Sequence, residues 1–263
     1  MAQIYTGAVS ASAGGTGRAT VDAGTASFLN PAALVHQKGR QIYTAFGKDD
    51  MAVSLNENSP DSALPTSFAY WQKNSTLLAA TPNSLDKYKQ QDIRLSIAEF
   101  VKTIWAVGLT GHYYQVQNQE KTLGQWNVDL GLTVTPVPNI GFALIFYDMG
   151  GVNNQIPEEL RLLPKVGLGF HHIYREYFRS RMDLVSGPNE DFRKSTLMLG
   201  FETYLNQWVI TRFGYQNNTY LKQDLLSLGF GFDLPKFRTN YAYQFVASDS
   251  KDQRHSVDLA IPF

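Results

Sequence analysis

The chain has 263 residues, 23 basic and 23 acidic side chains, and no cysteine. Balanced charge argues against a nucleic-acid binder or a polybasic membrane-surface protein, and the missing cysteines exclude a disulfide framework and thiolate metal sites. Aromatic residues make up 13% of the sequence and charged residues 17%, against about 25% charged in an ordinary globular domain. No apolar run reaches the roughly 18 residues of a transmembrane helix. A β-barrel escapes that test, because its lipid face takes only every second residue. The opening Met1-Ala2-Gln3-Ile4-Tyr5 has neither the basic nor the apolar region of a signal peptide, so an exported chain is read here in its mature form.

Residues 1–39 differ in composition from the rest. Gly7, Gly14, Gly15, Gly17 and Gly24 stand among Ala, Ser and Thr, with few large side chains before Phe28. Such a stretch either packs closely inside another structure or stays mobile. Asn30-Pro31-Ala32-Ala33-Leu34 predicts a short helix, with Asn30 as its N-cap and Pro31 at the first helical position. Gly39 is the expected stop.

From Arg40 onward the apolar period is two. Val128, Leu130, Leu132 and Val134 alternate with Asn127, Asp129, Gly131, Thr133 and Thr135, and similar rows run through 93–98, 165–171, 196–202 and 226–234. The chain ends on the same pattern, with Val257, Leu259, Ile261 and Phe263 on one face and Ser256, Asp258 and Ala260 on the other. That last stretch alone fits either an edge strand of a soluble sandwich or the closing strand of an outer-membrane barrel; its recurrence along the chain favours the barrel. Tight turns at 135–139, 174–175, 206–207 and 235–236 alternate with longer polar links near 115–124, 148–163, 186–192, 216–222 and 247–253. About fourteen strands of roughly ten residues fit between Gln41 and Phe263, an even number with both termini on one rim. The link at 56–66 falls where a short turn is expected and is too long for one.

Fourteen strands enclose a space that apolar side chains cannot fill, whereas about eight would suit a packed interior. The apolar row therefore faces outward and the polar row inward. Arg94, Asp129, Arg179, Arg181, Asp183 and Arg212 fall on the inward row, with Lys165, Glu202, Asp233 and Asp258, and are expected to pair across the lumen. Tyr43, Trp71, Trp105, Tyr113, Trp126, Tyr147, Tyr174, Tyr177, Tyr204 and Trp208 lie near strand ends, where aromatic girdles belong.

Gly15-Thr16-Gly17-Arg18-Ala19-Thr20, followed by Val21-Asp22 and Asn30-Pro31-Ala32-Ala33-Leu34, resembles the N-terminus of the FadL/OmpP1 family of outer-membrane transporters. The related PorV barrels carry a similar stretch. The resemblance implies that residues 1–39 form a hatch, with Gly17, Arg18, Asp22, Asn30 and Pro31 as its signature positions, and that residues 40–263 form a fourteen-stranded transmembrane barrel around it. It also implies a place in the bacterial outer membrane. The links here are short beside those of the family's long-chain fatty-acid transporters, whose large loops build a capture groove.

Catalytic signatures are weak. His171-His172 and His255-Ser256 are neighbours on strands, so each pair points to opposite faces, and neither Gly-x-Ser-x-Gly nor His-Glu-x-x-His occurs. No enzyme activity, cofactor or metal is expected. The leading reading is an all-β transmembrane barrel that binds lipids or other hydrophobic molecules and passes or holds them. Phe28, Leu29, Leu34 and Val35 are its candidate ligand contacts, since apolar surface leaving water gains about 25 cal/mol per Å2. Two alternatives are a non-transporting barrel that forms homo-oligomers or scaffolds partners and organises lipid, and a diffusion porin.

Overall fold

In the computed structural model, residues 5–20, 23–78, 85–247 and 249–263 are described. The strands β1 (Gly39–Gly47), β2 (Asp50–Asn58), β3 (Thr66–Leu78), β4 (Leu85–Lys102), β5 (Trp105–Gln117), β6 (Thr122–Val137) and β7 (Ile140–Tyr147) follow one another around the wall. They continue as β8 (Lys165–Tyr174), β9 (Phe178–Val185), β10 (Thr196–Tyr204), β11 (Val209–Asn218), β12 (Gln223–Leu234), β13 (Phe237–Val246) and β14 (Asp249–Pro262). Every neighbour is antiparallel, and β14 pairs back onto β1, closing a fourteen-stranded barrel. Closure removes the open edges that would leave backbone N–H and C=O groups without partners.

The two faces sort as the alternation predicts. Leu95 is 61% exposed, Phe213 57% and Phe230 55%, all on the outside, while Arg94 and Ser96 beside Leu95, Arg212 beside Phe213 and the glycines beside Phe230 are buried in the lumen. On β14, Val257 and Ile261 face out and Asp258 and Ala260 face in. An exterior of this kind suits hydrocarbon and a charged interior does not, so the outward apolar band is the membrane arrangement.

The connections divide between two rims. The first strand begins and the last ends at the rim of links 103–104, 138–139, 175–177, 205–208 and 235–236. The link after β2, residues 59–65, is a longer member of this set, and the Glu57 carboxylate accepts the Ser59 backbone N–H at 3.0 Å to begin its turn. At the opposite rim the strands run further than hydropathy suggests. β5 continues to Gln117, β11 to Asn218 and β14 starts at Asp249, so most of 115–117, 216–218 and 249–253 is paired strand rather than link. The apolar signal stops where lipid stops, but the backbone ladder continues into water. Residues 148–164 and 186–195 are long links; the first turns inward, burying Ile156, Leu160 and Leu162 inside the barrel.

Three aromatic expectations need correction. Tyr43, Trp71 and Tyr147 are buried in the lumen rather than set in a girdle. Tyr43 lies 3.2 Å from Asp258, and Tyr147 donates to the Leu29 carbonyl of the N-terminal segment. Parity, not nearness to a strand end, sends them inward. Trp105, Tyr174, Tyr177 and Trp208 do stand exposed near the turn rim.

Residues 5–20 and 23–36 lie inside the barrel. They form α1 (Ala8–Ser12), α2 (Ala26–Leu29) and a 3-10 helix over Pro31–His36. As expected, Asn30 caps that helix, its Oδ1 accepting the Ala32 N–H at 3.0 Å. The helix ends at His36, before Gly39; Gly39 instead opens β1 with φ of 69°.

Candidate functional site

The lumen is shaped around the N-terminal segment by inward-facing glycines on six strands. A methyl group at Gly108 of β5 would strike the backbone of Pro31 and Ala32, and one at Gly131 of β6 would strike the Asn30 side chain. Gly169, Gly200, Gly214 and Gly229 stand in the same relation to Ala19, Ala13, Gly14 and Ser12. At these positions the inward row carries no side chain, although bulky Arg94, His112 and Arg212 occupy it elsewhere. The glycines let backbone pack on backbone, and the seat they form is specific for this segment.

Ion pairs fasten the segment to the seat. Asp183 Oδ2 on β9 accepts the backbone N–H groups of Gly17 at 2.8 Å and Arg18 at 3.0 Å, and the Arg18 guanidinium at 3.1 Å. Gly17 has φ of 148°, a conformation open to glycine, which turns both N–H groups toward one carboxylate. Asn30 Nδ2 donates to the Arg18 carbonyl at 2.8 Å, tying the two signature stretches together. Across the lumen, Arg94 Nη1 donates to the Ser27 carbonyl at 3.0 Å and to Asp129 Oδ2 at 2.8 Å, with its guanidinium 5.3 Å from the Phe28 ring. Asp22 lies outside the described residues.

Seven of the ten predicted lumen charges fall into three groups. Arg94 joins Asp129 and Asp92; Asp183 joins Arg18; and Arg179, Arg181 and Arg212 converge on Glu202 at 3.0, 3.1 and 2.5 Å. A buried carboxylate among buried guanidinium groups compensates charges that would otherwise be expensive in the interior. Of the other three, Asp258 meets Tyr43 and Asn240, Asp233 pairs with Arg238 at the turn rim, and Lys165 interacts with Asp148.

The four ligand candidates are all buried, and Phe28, Leu34 and Val35 sit in packed clusters. Phe28 joins Tyr5, Trp71, Tyr114 and Ile156; its ring lies 4.8 Å from that of Tyr5, edge on. Leu34 and Val35 pack against Ala98 and Ala106. Leu29 lies beneath Gly17. None of the four is among the residues lining the two principal cavities.

Those cavities lie on opposite sides of the segment. The larger, about 1020 Å3, opens toward the rim of the long links and is lined by apolar Leu77, Tyr88, Leu160, Met198, Leu221 and Leu225. Lys87, Lys89, Lys165, Lys194, Arg18 and Arg254 also border it, against the acids Asp49 and Glu159. The smaller, about 470 Å3, opens at the turn rim and is lined by Arg179, Arg181, Glu202, Arg212 and His36. Arg18 thus lies at the floor of one cavity, and the Glu202 group at the roof of the other.

The two histidine pairs stay apart, as strand geometry requires. His171 Nδ1 meets the Ala19 carbonyl at 2.6 Å, and His255 Nδ1 meets the Tyr241 hydroxyl at 2.7 Å on the outer surface. Residues not singled out by sequence include His112 and the apolar side chains of link 148–164, while Tyr147 and Trp71, singled out for a girdle, face the lumen instead. Inward parity was the signal available for His112, Tyr147 and Trp71; the link gave none beyond its scattered Ile and Leu.

No protein-family model and no curated protein matches this sequence. Solved structures do. The Pseudomonas putida toluene transporter TodX superposes with a TM-score of 0.72 over 100% of this chain and 99% of its own, at 14% identity. A Pseudomonas aeruginosa FadL homologue gives 0.73 over 98% of each chain at 11% identity. The Ralstonia pickettii toluene transporter TbuX gives 0.70 over 98% of this chain and 97% of its own, at 13% identity. The chain has the FadL-type fold. In this FadL-type barrel the N-terminal segment occupies the lumen between two cavities, and at such low identity the likeness extends to architecture alone.

Proposed function

We propose that this chain is an outer-membrane barrel that takes hydrophobic molecules from the long-link rim, with residues 1–39 as the hatch that controls their passage. The single observation that carries the reading is the cavity of about 1020 Å3 above the hatch, whose floor includes Arg18. Its apolar patches beside a surplus of Lys and Arg favour an amphiphile with an anionic head over a neutral hydrocarbon. Phe28, Leu29, Leu34 and Val35 serve passage by holding the hatch closed, and come into contact with ligand when it shifts. The neighbours named as toluene transporters and a FadL homologue support a hydrophobic cargo.

An exit through the wall suits such a cargo better than an aqueous channel. The ladder between β6 and β7 stops at Leu130↔Phe146, and beyond it the β7 side of β6 meets the 148–164 link, through the Met149 N–H to the Val128 carbonyl and the Asn153 amide to the Gly124 carbonyl, each at 2.9 Å. Pro136 disrupts the other end of the same ladder, where register shifts between Val134 and Val137. A hatch and an inward link across the lumen disfavour a diffusion porin. The same occlusion gives some support to the second reading, a non-transporting barrel that oligomerises and organises lipid.

Uptake by cells carrying the barrel in their outer membrane separates these readings. Laurate and toluene, each radiolabelled, are the probes. Faster laurate uptake than in cells lacking the barrel supports the proposal. Unchanged uptake of both, with a stable oligomer retaining lipid in native mass spectrometry, supports the structural alternative.

A further inference from the structure

We infer that His112, Asp129 and Asp148 form a binding site for a divalent first-row transition ion, zinc foremost, inside the barrel wall. The three come from β5, β6 and the link after β7, and their donor atoms lie within 4.8 Å of one another. His112 Nε2 stands 3.5 Å from Asp129 Oδ1 and 3.6 Å from Asp148 Oδ1. It is buried and makes no hydrogen bond, although it points between two carboxylates.

The two separations from Nε2 are longer than a direct hydrogen bond and are compatible with ligands that share an ion. A proton on Nε2 would draw a carboxylate in to about 2.7–2.9 Å, as charge-assisted hydrogen bonds do. Zinc bonds of about 2.0–2.2 Å to nitrogen and oxygen place neighbouring ligands of a tetrahedron roughly 3.3–3.6 Å apart. Both separations from Nε2 fit the second case. A fourth ligand from water would complete the coordination.

The surroundings are those of a metal-ligating imidazole. His112 Nδ1 lies 2.9 Å from Asp92 Oδ1, which fixes the ring and leaves Nε2 as the free donor. Arg94 holds both Asp92 Oδ2 at 2.7 Å and Asp129 Oδ2 at 2.8 Å, so each carboxylate keeps its other oxygen toward the imidazole. Asp129 Oδ1 also accepts the Asp148 backbone N–H at 2.8 Å. Asp148 has φ of 56°, a left-handed conformation uncommon outside glycine, and this turn directs its carboxylate inward. Three carboxylates here face two fixed cations, Arg94 and the Lys165 that interacts with Asp148, so negative charge remains for a bound cation to meet.

The site also adjoins the hatch. Arg94 reaches Ser27, and Tyr147, the residue before Asp148, reaches Leu29. A bound ion therefore stiffens the wall patch on which α2 is seated, whatever the barrel carries.

The test uses full-length barrel in detergent, stripped with EDTA, desalted, and titrated with Zn2+ or Co2+ alone. Bound metal is read by mass spectrometry, and four-coordinate Co2+ by its intense visible absorption. The wild type is expected to bind about one ion per chain, with Asp92→Asn weakening binding about 10–100-fold through the orienting contact. His112→Gln and Asp148→Asn lose the ion and the spectrum while keeping the heat-modifiable gel mobility of a closed barrel. Asp148 lies outside the strands, so its variant decides the matter if His112→Gln does not fold. Wild-type binding no greater than that of Asp148→Asn, or a weak six-coordinate spectrum in all variants, overturns the assignment.

Discussion

The guanidinium of Arg18 lies 3.1 Å from Asp183 Oδ2, the oxygen that also receives the Gly17 and Arg18 backbone N–H groups. One carboxylate thus holds a turn, a side chain and the hatch at once. Asp183→Ala leaves Arg18 buried without its counter-ion, and breaking a buried pair this way costs about 3–5 kcal/mol. Hydrogen exchange is expected to rise around residues 14–20 while the strand ladders stay protected. Unchanged exchange there would show that the pair does not anchor the hatch.

The glycine seat makes a sharper prediction, because it separates hatch from wall. Gly131 and Gly214 have no left-handed backbone, so a side chain there leaves β6 and β11 able to pair, yet collides with Asn30 or Gly14. Gly131→Val and Gly214→Val are expected to fold as closed barrels with a displaced hatch. Single-channel recordings in planar bilayers should show frequent openings for both and few for the wild type. Silent variants would mean that the hatch tolerates displacement without opening a path.

Asn30 carries two contacts from one side chain, capping the 3-10 helix through Oδ1 and holding the Arg18 carbonyl through Nδ2. Asn30→Ala removes both, at a cost of about 1–3 kcal/mol from the lost cap and the orphaned carbonyl. Loss should appear as faster proteolysis of the N-terminal segment rather than a large fall in the barrel's melting temperature. Asn30→Asp keeps the cap and loses the donor, so it should fall between.

Lipid-facing charge tests the orientation of the wall. Leu95 is 61% exposed on the outer surface, near the middle of β4. Leu95→Arg is expected to cost about 2–4 kcal/mol in bilayer refolding, as arginine does near the midplane. Leu221→Arg, in the link between β11 and β12, should cost little. Equal effects at the two sites would contradict an outward hydrocarbon-facing row.

The alternation along β6, β12 and β14 revealed the wall because lipid and lumen impose opposite demands on successive residues. The cap at Asn30 was legible for a different reason: it depends on its immediate neighbours, Pro31 and Ala32. Strand ends were less legible. Gln115 and Gln117 read as link, yet they pair with Gly124 and Thr122, because hydrogen bonding persists where hydrophobicity has already ended. Tyr43, Trp71 and Tyr147 read as girdle residues, but aromatic identity does not say which face a ring occupies. His112 gave no local signal beyond its inward parity on β5. Its partners Asp129 and Asp148 come from the next strand and a distant link, so only closure of the wall brings them together.

The claim that the hatch must move for cargo to pass is tested most directly by fixing it in place. Ser27 Oγ of α2 donates to Ser67 Oγ of β3 at 2.6 Å, and the chain has no cysteine of its own to interfere. A double variant with Ser27→Cys and Ser67→Cys can bridge hatch to wall when oxidised. Laurate uptake by cells carrying that variant should fall to the level of cells lacking the barrel under oxidising conditions, and return on reduction. Equal uptake in the bridged and reduced forms would contradict the account.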